Sequence, residues 1–233
     1  MRLSRTGRGI AVAAMMLVAA SVARVAAAQA PDPDPARFAS EIHAFEAWDA
    51  KNSTPAHAVL FVGSSTIRMW TTAERFPNLQ VINRGFGGSE ISDVNHYIQE
   101  TTLKYGADVI VFYAGDNDIN DKKTPAQVLG DFQSFVKSVL AAKADTEILF
   151  VSIKPSTLRW ALWPEMRDAN ALIQKYCEST PHLHYVDTVP PMFGADGKPR
   201  EDLLASDGLH LSPAGYDIWT DIVSKAIAAV RKP

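Results

Sequence analysis

The sequence predicts one α/β domain, a parallel sheet of five strands with helices on both faces. Two observations carry this. Five short runs, 58–62, 81–82, 109–113, 148–153 and 183–186, are β-branched or aromatic, and each is bounded by Gly, Pro, Asn or Asp. Between and around them, segments 37–50, 90–105, 125–142, 163–177 and 213–232 carry apolar residues at helical spacing. Strands separated by helices pair in parallel through crossover connections, and the crossovers cover both faces of the sheet.

The N-terminus stands apart from that pattern. Arg2, Arg5 and Arg8 precede an apolar stretch at 10–22, and small residues follow, with Ala26-Ala27-Ala28 or Ala28-Gln29-Ala30 as cleavage sites. Pro31 directly after the second site favours the first. The apolar stretch is shorter than the roughly 20 residues of a spanning helix, and Arg24 interrupts its end. Residues 1–30 are therefore expected to be a signal peptide, with the mature protein periplasmic or secreted and without a membrane span. No Cys follows the stretch to accept a lipid.

Pro31-Asp32-Pro33-Asp34-Pro35 reads as an extended linker over 31–36, and the domain is expected over 37–233. Its first helix is marked by Phe38, Ile42, Phe45 and Trp48, and its last by Ser212 as N-cap and Pro213 at the first helical position.

Composition narrows the function. A chain of 233 residues, 47% hydrophobic, can bury a core in one domain without metals or cross-links. The single Cys177 excludes an internal disulfide and follows Leu172, Ile173 and Tyr176 in a helical pattern, as a buried thiol does. Without residues 1–30 there remain 19 basic and 26 acidic residues, a formal charge of about −7. Such a surface offers no footprint for nucleic acid or anionic membrane, whereas a small uncharged substrate is compatible with it.

In a parallel sheet, ligands bind beyond the carboxyl ends of the strands. After the first strand stands Gly63-Ser64-Ser65-Thr66, after the second Asn83 to Ser89 with Gly85, Gly87 and Gly88, and after the third Gly115-Asp116-Asn117-Asp118; Asp207-Gly208-Leu209-His210 precedes the last helix. Acyl transfer needs these parts. A serine hydroxyl needs a base to take its proton, and the base needs a carboxylate to orient it. The tetrahedral intermediate needs N–H donors, which Gly88 and the Asn117 amide can supply. Asp207 and His210, three residues apart on one loop, can set carboxylate and imidazole side by side.

In these four ordered blocks the chain resembles the SGNH (GDSL-type) hydrolase family. Gly63-Ser64-Ser65 stands for Gly-Asp-Ser, Asn83 to Gly88 for Asn-x-Gly-x-Gly-Gly, residues 115–118 for Gly-x-Asn-Asp, and Asp207 to His210 for Asp-x-x-His. The resemblance implies a three-layer, flavodoxin-like α/β/α sandwich and ester hydrolysis through an acyl-serine. It implies Ser65 as nucleophile, Asp207 and His210 as acid and base, and an oxyanion hole from Ser65 N–H, Gly88 and Asn117. Ser64 replaces the family's Asp, which leaves two adjacent serines to compete for the nucleophile's place. Ser89 stands where many relatives carry Asp, and is expected to cap the following helix.

Other readings of these motifs fail on one or two positions. Glu90 occupies the third Gly position of a dinucleotide loop, where its charge opposes a pyrophosphate. A calcium loop begun at Asp116 meets Asp121 where Gly is needed and Gln127 where the closing Glu is needed. No cofactor and no metal is implied. Among the other histidines, His43, His57 and His96 have no acid beside them on a loop, and His182 and His184 flank a strand, so polar surface or core roles are expected for them. Trp160, Trp163, Met192 and Phe193 follow the fourth and fifth strands and are candidates for an apolar substrate pocket. Arg159 is either a polar anchor beside them or a solvated loop charge.

The expected function is hydrolysis of short-chain carboxylic esters, with acetyl groups on carbohydrates as one candidate. A thioesterase or a lysophospholipase would use the same triad, and a glycan- or ester-binding module with a weakened site is the non-enzymatic alternative.

Overall fold

The computed structural model describes residues 32–231. The expected signal peptide lies outside the described residues. A short 3-10 turn, Pro35–Phe38, leads into α1, Ala39–Asp49. The rest of the chain alternates as follows: β1 Val59–Gly63, α2 Ser65–Arg68, α3 Thr72–Arg75, β2 Val81–Gly85, α4 Ile91–His96, α5 Ile98–Thr101, β3 Val109–Tyr113, α6 Asp116–Asn120, α7 Pro125–Ala142, β4 Glu147–Val151, α8 Trp163–Glu178, β5 Leu183–Val186 and α9 Pro213–Val230.

All five strands are parallel, in the order β2-β1-β3-β4-β5. The chain leaves β1 toward one edge and returns to β3 on the other side, so the switch point lies between β1 and β3. Register levels the strand ends there, because Gly63 pairs with both Gly85 and Tyr113. The segments after β1, β2 and β3 therefore leave the sheet at one height.

Strict alternation divides the strands between two cores. Leu60, Val62, Ile110, Phe112 and Phe150 face α1, α4, α7 and α8, which contribute Ile42, Val94, Phe135 and Ile173. Phe61, Val111, Tyr113 and Val151 face the other way, onto Trp70, Phe76 and the α9 residues Trp219, Val223 and Ile227. Each of these fully buried large side chains contributes about 1.5–3 kcal/mol of transfer energy, which is why α7, α8 and α9 hold as long helices. The result is the three-layer sandwich.

Several boundaries differ from expectation for identifiable reasons. The segment 90–105 is not one helix but α4, α5 and a 3-10 turn at Leu103–Tyr105, since Tyr97 between the two helices departs from helical geometry at φ −97°, ψ 25°. β4 stops at Val151 because the backbone of Ile153 is taken by the Asn170 side chain of α8, which accepts from its N–H and donates to its carbonyl, both at 2.8 Å. Ser89 does not cap α4. It is fully buried and donates to the Phe86 carbonyl at 3.1 Å, while Asp93 accepts from the Glu90 N–H at the helix start. The linker is anchored: Asp32 pairs with Lys123 at 2.7 Å, and Tyr97 donates to the Pro35 carbonyl at 3.0 Å. Cys177 is buried, and burial pushes its thiol up to about 12. Among the described residues no helix is long and apolar enough to cross a membrane.

Candidate active site

The site begins with the turn out of β1. Gly63 lies at φ +138°, and a Cβ there would stand 1.9 Å from the Tyr113 carbonyl oxygen, so only glycine fits. The Ser64 N–H donates to that same oxygen at 2.9 Å. One residue later the chain enters α2, whose first residue is Ser65. This one-turn helix is tied down from β2. Asn83 donates to the carbonyls of Ile67 and Trp70 at 2.7 and 3.0 Å and accepts from the Gly85 N–H at 2.9 Å.

Adjacent serines have different fates. Ser64 is fully buried, and among the described residues its hydroxyl has no hydrogen-bond partner. Ser65 is half-buried, with its hydroxyl 2.9 Å from His210 Nε2. On the other side of the ring, Nδ1 stands 2.6 Å from Asp207 Oδ2. The second Asp207 oxygen accepts from the N–H groups of Leu209 and His210 at 2.9 and 3.0 Å, a turn completed by Gly208 at φ +66°. The hydrogen bond from His210, helped by those two N–H groups, brings the Asp207 carboxyl down to about 2. A carboxylate accepts only, so Nδ1 carries the proton and Nε2 offers its lone pair to the Ser65 hydroxyl.

Two candidate donors flank this chain. Gly88 is exposed at φ +73°, and beyond its chain neighbours no atom lies within 4 Å of where a Cβ would stand, so its Cα face is open to an approaching ligand. Asn117 lies in α6, after a turn at Gly115 with φ +121°. Its amide donates one hydrogen to the Ser89 carbonyl at 3.0 Å and accepts from Arg159 Nη2 at 3.0 Å. The second hydrogen is left for a ligand.

The carboxylates on either side of Asn117 are engaged elsewhere. Asp116 faces Arg159 Nη1 at 3.4 Å and Lys154 Nζ at 3.6 Å. Asp118 is fully buried and accepts from the Ile91 N–H at 3.1 Å. Burial, reinforced by the Glu90 charge and opposed by Lys123, raises its carboxyl to about 8. Lys123 in turn stands within 3.5 Å of Asp32, Glu90, Asp118 and Asp131.

Three of the four candidate pocket residues come together. The Trp160 and Trp163 rings lie parallel with centroids 6.5 Å apart, and Phe193 meets both edge-on. Met192 does not join them, because it closes the 3-10 turn Pro190–Met192 with its side chain fully buried in the core against α9. Trp160 is exposed at the wall of a cleft of about 460 Å³, whose rim carries Asp196, Lys198, Arg200 and Glu201. The same loop is latched to the Asp207–His210 turn, where Leu158 N–H and the Thr157 hydroxyl both donate to the Gly208 carbonyl, at 3.0 and 3.1 Å.

The remaining histidines lie elsewhere. His57 pairs with Asp108 at 2.7 Å, and His182 and His184 both pair with Glu147 at 2.9 and 2.7 Å, at the opposite end of the sheet. Asn83, Lys154 and the 157–158 latch have parts in the site that spacing did not reveal. Only Asn83 had a signal, as the first residue of the second block.

Serine, imidazole and carboxylate in one hydrogen-bonded line, reached in the chain order Ser, Asp, His on a parallel sheet, define a hydrolase of the serine type. The chain belongs to the GDSL-like lipase/acylhydrolase family, whose model matches residues 66–218, and it is an ester hydrolase. That span includes Asp207 and His210 and begins one residue after Ser65. A search of curated protein sequences finds no match.

Solved structures share the fold at low identity. A protein from Streptococcus pneumonia is 21% identical at TM-score 0.74, the alignment covering 82% of this chain and 94% of that one. A GDSL-like lipase from Bacteroides thetaiotaomicron is 21% identical at TM-score 0.70, covering 85% and 98%. A mutant of an acetyl-xylooligosaccharide esterase from Geobacillus Stearmophilus is 16% identical at TM-score 0.61, covering 76% and 95%.

Proposed function

We propose that the protein is an exported serine esterase that removes short acyl groups, acetyl foremost, from a carbohydrate. The observation that carries the reading is the unbroken line from Ser65 through His210 to Asp207, with contacts of 2.9 and 2.6 Å. In this mechanism His210 Nε2 takes the Ser65 proton as the oxygen attacks the ester carbonyl. The N–H groups of Ser65 and Gly88 and the Asn117 amide receive the oxyanion. His210 then gives its proton to the departing alkoxide, and water, activated by the same imidazole, releases the acid from the acyl-Ser65.

The carbohydrate leaving group is supported by the cleft that Thr157 lines, since the same hydroxyl bonds the Gly208 carbonyl of the catalytic turn at 3.1 Å. An exposed indole matches the apolar face of a sugar ring, and a rim of both charge signs matches its hydroxyls. A similar fold serves the acetyl-xylooligosaccharide esterase. Export is supported by the basic, apolar and small-residue pattern of residues 1–30.

Hydrolysis of p-nitrophenyl acetate tests the reading. Ser65→Ala abolishes it and also abolishes labelling by a fluorophosphonate, whereas Ser64→Ala keeps both. Loss in Ser64→Ala alone would move the nucleophile by one residue. An acyl series that peaks at long chains, or a preference for thioesters, would replace the short-ester assignment.

A further inference from the structure

We propose that Arg159 is a positioning residue for the oxyanion hole, holding the Asn117 amide so that its NH₂ faces the substrate. The inference rests on the esterase reading above and adds a residue to it.

An asparagine side chain is nearly symmetric in shape but opposite in chemistry at its two ends. Turned by 180°, Asn117 would aim its oxygen at the developing oxyanion and repel it. Two contacts choose between the orientations. Arg159 Nη2, at 3.0 Å, belongs to a guanidinium, which donates and never accepts, so the atom facing it must be Oδ1. The Ser89 carbonyl, at 3.0 Å from the other end, accepts and never donates, so it must face Nδ2. A donor-only group and an acceptor-only group thus select the same orientation. The Ser89 contact alone uses one N–H and leaves the oxygen without a partner in a nearly buried site, where an unmade hydrogen bond is costly.

Arg159 is itself held for this task. Its side chain is 12% exposed, its Nη1 stands 3.4 Å from Asp116 Oδ2, and its backbone N–H donates to the Ser156 hydroxyl at 3.2 Å. Lys154, fully buried, approaches the same Asp116 oxygen at 3.6 Å, so two cations face this carboxylate. The planar fork donates to Asn117 through Nη2 while Nη1 faces Asp116 as an ion pair, an arrangement the single ammonium of a lysine does not reproduce. The neighbours of Arg159 complete the placement: Leu158 bonds the catalytic turn at Gly208, and Trp160 forms the cleft wall. One loop thereby touches the acid–base turn, the oxyanion amide and the leaving-group cleft.

A double-mutant cycle on p-nitrophenyl acetate hydrolysis tests this, with Asn117→Ala, Arg159→Met and the pair. Asn117→Ala removes one oxyanion donor and is expected to lower kcat by on the order of 10²–10³. Arg159→Met is expected to lower kcat by roughly tenfold or more with KM within about twofold, Arg159→Lys to fall between it and the parent, and the double variant to be no slower than Asn117→Ala. Multiplying losses, or unchanged kcat in Arg159→Met, overturn the proposal. The Asn117 side-chain NH₂ resonances, identified by their loss in Asn117→Ala, supply a readout independent of turnover. They shift in Arg159→Met and in the milder Arg159→Gln if Arg159 holds the amide; an unmoved pair overturns the proposal. If the parent and Ser65→Ala hydrolyse esters equally, the esterase reading has failed, and the resonances still decide the Arg159–Asn117 contact.

Discussion

Asn83→Ala separates the support of the nucleophile from the nucleophile itself. Asn83 is half-buried on β2 and makes three hydrogen bonds, two as donor to the end of α2 and one as acceptor from Gly85. The Ile67 and Trp70 carbonyls also accept from Trp70 N–H at 3.0 Å and Thr72 N–H at 2.7 Å, so alanine leaves neither of them bare. The two lost carbonyl bonds then cost near the net value of about 1 kcal/mol each, and the buried Gly85 N–H, left without its acceptor, costs about 1–3 kcal/mol more, for a total of roughly 3–5 kcal/mol. In a domain of this size that lowers Tm by about 6–20 °C. Activity falls further than stability, because α2 is a single turn and Ser65 is its first residue. A shift of about 1 Å at the nucleophile costs up to roughly 10²-fold in rate. Urea unfolding, with kcat for p-nitrophenyl acetate measured well below the midpoint, reads both effects. A variant that is destabilised as stated but retains full kcat would refute the tether, since the loss would then be generic. Unchanged stability would refute the hydrogen-bond accounting.

Two further expectations concern charge. Asp207→Asn keeps an oxygen for the Leu209 and His210 N–H groups but presents NH₂ to Nδ1, forcing the imidazole into the wrong tautomer; the fold should survive while kcat drops by on the order of 10⁴, and wild-type kcat in a folded variant would remove Asp207 from the relay. Asp118 has its folded-state carboxyl raised to about 8 from 3.8, so the folded protein binds the extra proton and this group's contribution to stability declines as pH rises between those values, by at most about 1.4 kcal/mol per pH unit. Asp118→Asn should flatten the unfolding free energy between pH 5 and 8 relative to the parent, as read by urea titrations across that range, and parallel curves would contradict the assignment.

What the sequence reveals follows from the range of each interaction. The five strands and the long helices are legible because burial on two faces writes apolar runs and a 3.6 period into the chain, and the four blocks are legible because each sits at the end of such an element. α2 and α6 are not, since four and five residues are too few for a period, yet they carry Ser65 and Asn117. Met192 and Phe193 look alike in sequence and part company at a 3-10 turn that sends one side chain into the core and the other toward Trp163. The Asp207–His210 pair is a local contact, visible as a spacing of three. The Ser65–His210 contact spans 145 residues and the Arg159–Asn117 contact 42, and no local pattern encodes either. They meet because Gly63, Gly85 and Tyr113 share one level of the sheet and the loop after β4 is drawn over that level by Gly208. Sheet register therefore brings Ser65, Gly88 and Asn117 to one edge, and loop-to-loop hydrogen bonds join the 157–159 segment to that edge. A substitution that preserves every motif, such as Arg159→Met, is therefore expected to lower kcat through the 157–159 loop alone.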